Sequence, residues 1–232
     1  MGTGGDWPRS YGACRMAFKR FAAAALVFAA LAFAPAIGAR AESLQIVGFG
    51  DSLMAGYGLN PGEAFPEKLQ AALRAKGHDV VIANAGVSGD TSSGALSRLD
   101  WSVPDGTQLV ILEIGANDML RGIDPELVEQ NLDKMLARLK ARNIPVLLAG
   151  MLAAPNLGHA YGEAFGSIYP KLAEKYGATL YPFFLDGVAA DKALLLEDGM
   201  HPSAGGIDRI VERILPTVQD TIAKLPPRQE KP

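Results

Sequence analysis

The chain has 232 residues, with 22 lysines and arginines against 25 aspartates and glutamates, and one cysteine. That length supports one good core but not two comfortable domains once a targeting segment is set aside. The acidic balance and the lack of a basic cluster beyond Arg40 exclude an electrostatic nucleic-acid partner, and the lone Cys14 excludes a disulfide framework or a cysteine metal site.

Residues 1–41 follow the plan of a secretory signal peptide. Arg15, Lys19 and Arg20 precede the apolar run Phe21 to Phe33, Pro35 interrupts it, and Ala39-Arg40-Ala41 offers small residues where a signal peptidase reads. Cleavage is expected between Ala41 and Glu42, and Met16 is a candidate start that leaves a conventional signal of about 26 residues. The competing reading is an anchor helix, since Phe21 to Gly38 is near the lower limit for a membrane span. With cleavage, the product is periplasmic or secreted and has no stable membrane anchor. Beyond residue 41 the chain carries 17 basic and 24 acidic residues, a net charge of −7.

Apolar runs of strand length then alternate with stretches of helical period. Strands are predicted at Leu44–Phe49, Val80–Ala85, Leu109–Ile114, Pro145–Gly150 and Thr179–Phe183, each nearly continuous in hydrophobicity, as in parallel strands covered on both faces. Helices are predicted at Phe65–Lys76, Ser93–Leu99, Pro125–Arg142 and Tyr161–Tyr176. Asp124 is placed to cap the third, Pro125 suits its first position, and Leu132, Met135, Leu136 and Leu139 form its apolar stripe. A last helix spans Ala204 to Lys224, with Pro216 expected to kink or split it. Pro226 to Pro232 reads as a polar tail, leaving residues 42–225 as one domain. The alternation predicts a doubly wound α/β fold that binds its ligand outside the carboxyl ends of the strands.

Four blocks fall on that rim. Gly50-Asp51-Ser52-Leu53 follows the first strand, Gly86 to Thr91 the second, and Gly115-Ala116-Asn117-Asp118 the third; Asp198-Gly199-Met200-His201-Pro202 precedes the last helix. A serine on a tight turn after a buried strand is held at the sheet's edge, but its hydroxyl is a weak nucleophile without a base. An imidazole supplies that base, and needs an acceptor on its other nitrogen. Asp198, three residues before His201, can meet it across the turn at Gly199. The N–H groups of Ser52 and Gly89 and the amide of Asn117 are candidate donors to an oxyanion. Taken singly, each is also explained as a turn, a cap or a surface residue; their order and common placement argue for one site. Asp51, Leu53, Asp118, Pro155, Asn156 and Tyr161 are candidate substrate contacts. The loop Met151 to Leu157 and the region around Tyr161 are candidate walls for an acyl chain. His159 lies in the same loop, and His78 reads as a solvated turn residue.

These blocks resemble those of the SGNH hydrolases, the GDSL esterase/lipase family, and within it the bacterial periplasmic thioesterase/lysophospholipase/arylesterase group. Met54-Ala55-Gly56-Tyr57 after the first block, Ser88-Gly89-Asp90-Thr91-Ser92, Met119-Leu120-Arg121-Gly122 and Tyr161 through Ala173 extend the likeness over nearly all of the chain beyond Leu44. The resemblance implies a flavodoxin-like three-layer α/β/α sandwich with a five-stranded parallel sheet. It implies Ser52 as nucleophile, His201 and Asp198 completing a triad, and Gly89 and Asn117 in the oxyanion hole. No metal and no organic cofactor are implied. The implied substrate is a small acyl ester or thioester, lysophospholipid included; carbohydrate O-acetyl esters are an alternative.

Other readings fit less well. Gly48-Phe49-Gly50-Asp51-Ser52-Leu53 misses the third glycine of a dinucleotide fingerprint, and Asn84-Ala85 stand where its acidic residue belongs. No serine has the Gly-x-Ser-x-Gly surroundings of an ordinary α/β-hydrolase. Asp51, Asp118, Asp198 and His201 make a poor zinc set with one histidine. A sugar- or lipid-binding protein without catalysis has no need of Ser52, Asp198 and His201 together.

Overall fold

The computed structural model describes residues 1–4, 43–189 and 191–226. The chain divides into two units, Met1–Ala41 and Glu42–Pro232. The expected signal peptide beyond residue 4, its cleavage point and the tail beyond Pro226 lie outside the described residues.

In the second unit, strands β1 (Leu44–Gly50), β2 (Val80–Gly86), β3 (Leu109–Glu113), β4 (Val146–Ala149) and β5 (Thr179–Tyr181) form one parallel sheet in the order β2-β1-β3-β4-β5. This is the flavodoxin-like order, with its switch point between β1 and β3. Helices α1 (Ser52–Ala55), α2 (Phe65–Ala75), α3 (Ser92–Ser102), α4 (Ala116–Leu120), α5 (Pro125–Ala141), α6 (His159–Tyr176) and α7 (Ala204–Ala223) connect and cover the strands. Helix α2 packs on α7; α3 packs on α5, and α5 on α6. Two helical layers therefore enclose the sheet, giving the α/β/α sandwich. Among the described residues no helix is long and apolar enough to cross a membrane.

The apolar runs form strands because the centre of the sheet has no solvated face. Every residue of β3 and of β4 is buried. Strand β2 differs from the expectation of two covered faces: it alternates buried and exposed residues, and Val81 and Ala83 are exposed. The cause is position, since β2 is an edge strand. Strand β5 stops at Tyr181, two residues before the predicted end, where Pro182 has no N–H for a ladder. Helix α7 runs unbroken through Pro216, whose exposed side leaves the freed carbonyl to water. The four- and five-residue helices α1 and α4 escape the periodicity because neither is long enough to show one.

The register decides where the site lies. Gly50 pairs with Gly86 on one side and Glu113 on the other, so three strand ends finish in one row. Helix α1 descends onto that row. A Cβ on Gly86 would fall against the Ala55 backbone, and one on Gly50 would press into Met54 Cβ at 2.8 Å and the Glu113 carboxyl at 2.6 Å. Only glycine lets the turn carrying Ser52 sit this low. Gly86→Ala is expected to cost about 1–3 kcal/mol through overpacking against this backbone. Urea denaturation checks this, and an unmoved midpoint would contradict the close approach.

Candidate active site

Asp51 shapes the turn after β1. It is the N-cap of α1, and its Oδ1 accepts the Leu53 N–H at 3.0 Å. Ser52 is the first helical residue and is 8% exposed, with Oγ 2.9 Å from His201 Nε2. His201 Nδ1 lies 2.6 Å from Asp198 Oδ2. A carboxylate can only accept, so Nδ1 carries the proton and Nε2 is left to accept from the Ser52 hydroxyl.

The Asp198–His201 turn is held locally. Asp198 Oδ1 accepts the N–H groups of Met200 (2.9 Å) and His201 (3.0 Å), across a left-handed Gly199 at φ 69°. These backbone donors, with the imidazole, lower the Asp198 pKa to about 2 and keep it ionised.

Asn117 is on α4, immediately after β3, and its Nδ2 donates to Asp51 Oδ2 at 3.2 Å. Gly89 is on the exposed β2–α3 loop at φ 81°. Its carbonyl accepts from an Arg121 guanidinium nitrogen at 2.9 Å, and Arg121 caps the end of the helix that bears Asn117. The Ser52 turn, the Asn117 helix and the Gly89 loop are thus linked by direct hydrogen bonds.

Several candidate substrate contacts are corrected. Asp51 is fully buried, and its carboxyl is committed to Leu53 and Asn117. Asp118 is 1% exposed, and its carboxylate accepts both the N–H and the hydroxyl of Ser92, at 2.7 and 2.6 Å. Leu53 is part of the core. None of the three has a face for substrate, and the same bonds remove Asp51 and Asp118 from the zinc set considered above. Pro155 and Asn156 are exposed on a 3₁₀ turn, Pro155–Leu157. The half-buried Tyr161 donates its hydroxyl to the Ile123 carbonyl at 2.8 Å, which ties α6 to the loop after α4. His159 is exposed and lies 3.3 Å from Glu163, while His78 meets Gln219.

The sequence reading missed other residues that support the site. Arg98 Nε pairs with Asp90 at 2.7 Å, and its two terminal nitrogens donate to the carbonyls of Ala85 and Gly50, each at 2.8 Å. Its guanidinium also lies 4.1 Å from the Phe49 ring centroid. One signal was available: Arg98 sits on the buried stripe of α3 with Ala95 and Leu99. Asn131 donates to Ser92 Oγ at 3.0 Å. Tyr57 closes the Gly50–Tyr57 stretch that carries the family likeness, and its contact with His201 was not foreseen from it. Glu113, an acid closing an apolar strand, is wholly buried; its Oε2 accepts the Asp51 N–H at 3.4 Å, and its Oε1 has no protein partner.

Burial raises the Asp51 pKa to about 6, against the lowering effect of Leu53, Asn117 and His201. Burial, then the neighbouring Asp51 charge, pushes Glu113 well above the ordinary carboxylate range. A carboxyl raised on folding stabilises the protein fully below its unfolded pKa, and that contribution is lost as pH rises through the folded value. Asp198, lowered on folding, has the opposite sign and loses its contribution as pH falls towards about 2.

Residues 49–209 match the GDSL-like Lipase/Acylhydrolase family. The chain is 38% identical over 182 residues to Esterase TesA of Pseudomonas aeruginosa, covering 78% of this chain and 90% of that one. It is 39% identical over 166 residues to the Escherichia coli K12 protein named Thioesterase 1/protease 1/lysophospholipase L1, covering 71% and 77%. Among solved structures it is similar to AlinE4, a SGNH-hydrolase family esterase, at 48% identity and a TM-score of 0.67, covering 78% of this chain and 97% of that one.

The buried acid pair generates a stability prediction. Glu113→Gln keeps the side chain's shape and removes one titrating group. Its melting temperature relative to the unaltered protein is expected to rise as pH climbs above about 4.5, where Glu113 ionises in the unfolded chain and stays protonated in the folded one. A difference that stays constant as pH rises from about 4.5 to neutrality, read by thermal unfolding, would show that Glu113 ionises in the folded protein as it does in the unfolded chain, and would contradict a raised carboxyl.

Proposed function

Because the chain belongs to the GDSL-like lipase/acylhydrolase family, whose members here are hydrolases acting on ester bonds, we propose that it is a serine esterase using Ser52, His201 and Asp198. The observation that carries this reading is the continuous hydrogen-bonded chain from Ser52 Oγ through both imidazole nitrogens to Asp198, at 2.9 and 2.6 Å. His201 Nε2 takes the Ser52 proton as Oγ attacks the acyl carbonyl. Charge collects on the former carbonyl oxygen, where Ser52 N–H, Gly89 N–H and the Asn117 amide donate to it. As the tetrahedral intermediate collapses, His201 gives its proton to the leaving alcohol or thiol, and an acyl-enzyme remains. Water then enters with His201 as base, and the same donors act again. Asp198 stays ionised throughout and holds the Nδ1–H tautomer.

Over the cycle His201 passes the Ser52 proton to the leaving group, then takes a proton from the attacking water and returns it to Ser52 Oγ as the carboxylic acid departs. The requirements of the cycle on the substrate are a carbonyl and a leaving group, which carboxylic esters and acyl thioesters both supply. The names of the relatives, esterase and thioesterase/lysophospholipase, support the same range, with lysophospholipid within it. The basic, apolar and small-residue pattern of residues 1–41 supports export to the periplasm or beyond with removal of that segment, leaving a single domain over residues 42–225.

Asn117→Ala is expected to reduce kcat on p-nitrophenyl butyrate about 100- to 1,000-fold with little change in KM, as for loss of one oxyanion donor. Ser52→Ala measured beside it is expected to leave no acyl-enzyme turnover. Unchanged kcat in Asn117→Ala removes that residue from the oxyanion hole; retained turnover in Ser52→Ala overturns the mechanism.

A further inference from the structure

His201 has both ring nitrogens engaged at its edge, and its side chain is 18% exposed. Tyr57 lies against its face: the ring centroids are 4.5 Å apart and the planes are inclined by 37°. The tyrosine is placed by the turn that carries the nucleophile. Gly56 closes α1 in the left-handed region at φ 80°, and the Tyr57 N–H donates to the Ser52 carbonyl at 3.1 Å. On its other side the loop rests on the segment leading to the base. A Cβ on Gly58 would lie 2.7 Å from Leu196 Cδ1, and the Leu196 N–H donates to the His201 carbonyl at 2.7 Å. Tyr57 is 52% exposed, so its place over the imidazole is set by its neighbours in the backbone and not by burial in the core.

We propose that Tyr57 is a positioning residue for proton transfer, its ring face stabilising the imidazolium that His201 becomes on taking the Ser52 proton. The inference rests on the reading of His201 as base. An aromatic face is negative and an aromatic edge positive, so a neutral imidazole gains little from the contact and a cationic one gains more. The proton moves from Ser52 Oγ to Nε2 while the Oγ–C bond forms, and returns to the leaving group as the acyl–heteroatom bond breaks. Water repeats the sequence in deacylation. In both halves the positive ring exists only on the way through the transition state, so the contact acts on kcat and not on substrate affinity. For an exposed cation–π pair the expected effect is about two- to five-fold. An aromatic wall for the acyl chain would behave differently, changing KM and doing so more for longer chains.

Steady-state kinetics on p-nitrophenyl butyrate test this with Tyr57→Phe, Tyr57→Leu and Tyr57→Trp, and Ser52→Ala measured in parallel. Leucine fills similar space without a π face, phenylalanine keeps the face without the hydroxyl, and tryptophan has the strongest face. The expected order of kcat is Trp at least equal to Tyr, Phe within about a factor of two of Tyr, and Leu lower by about two- to five-fold, with KM unmoved. Because leucine also differs in shape, the melting temperature of Tyr57→Leu is read beside its kinetics, and the loss of kcat is expected at an unchanged melting temperature, which a packing defect would lower. Wild-type kcat in Tyr57→Leu, or a loss confined to KM, overturns the proposal. Turnover retained by Ser52→Ala would instead overturn the reading of His201 on which it rests.

Discussion

The Asp51 carboxyl accepts one hydrogen bond from Leu53 N–H and another from Asn117 Nδ2, and these two bonds fix the turn of Ser52 to the helix that follows β3. The register makes the arrangement available, because Gly50, Gly86 and Glu113 end in one row. Around this joint the structure adds others of the same kind. Asp118 grips Ser92 at the start of α3, Arg98 ties the ends of β1 and β2 to Asp90, and Arg121 holds the Gly89 carbonyl. Each joins two of the three loops that bear the proposed nucleophile and oxyanion donors. Such donors act by standing in place before charge develops, so a polar scaffold that leaves them nothing to reorganise is the physical requirement.

That scaffold opposes stability. Asp51 and Glu113 are two acids buried side by side, and burial raises both. A hydrophobic pair of the same volume would avoid the desolvation of charge, but it would leave Asn117 without its acceptor. The proposed triad meets a milder version of the problem. Asp198 is partly exposed, and its two backbone donors favour the ionised form, so the orienting charge for His201 is obtained without deep burial. The protein thus places its costly acids behind the proposed oxyanion donors and its inexpensive one beside the proposed base.

Much of this was legible in the sequence. The apolar runs became the strands, because a parallel sheet between helices demands continuous hydrophobicity, and β3 meets that demand at every residue. The exposed alternation of β2 was not legible, since the run Val80–Ala85 does not say that its strand lies at an edge. Gly50-Asp51-Ser52 marked the turn, and Asp198-x-x-His201 marked a pair that a single turn brings together. The neighbours of the motif residues were misread for one reason. Asp51 and Asp118 sit beside candidate site residues and are charged, which suggests contact with substrate; whether a loop carboxylate faces solvent or a backbone N–H depends on tertiary contacts with Leu53, Asn117 and Ser92. Tyr57 stood in the motif stretch, but its role was not legible for the same cause, because its contact with His201 joins residues at opposite ends of the domain.

The central claim is that Ser52 is the activated nucleophile, and covalent capture tests it most directly. A fluorophosphonate probe reacts with an activated serine hydroxyl, so peptide mass mapping is predicted to find one adduct, on Ser52, and none in Ser52→Ala. An adduct on another serine, or labelling that survives Ser52→Ala, would contradict the account.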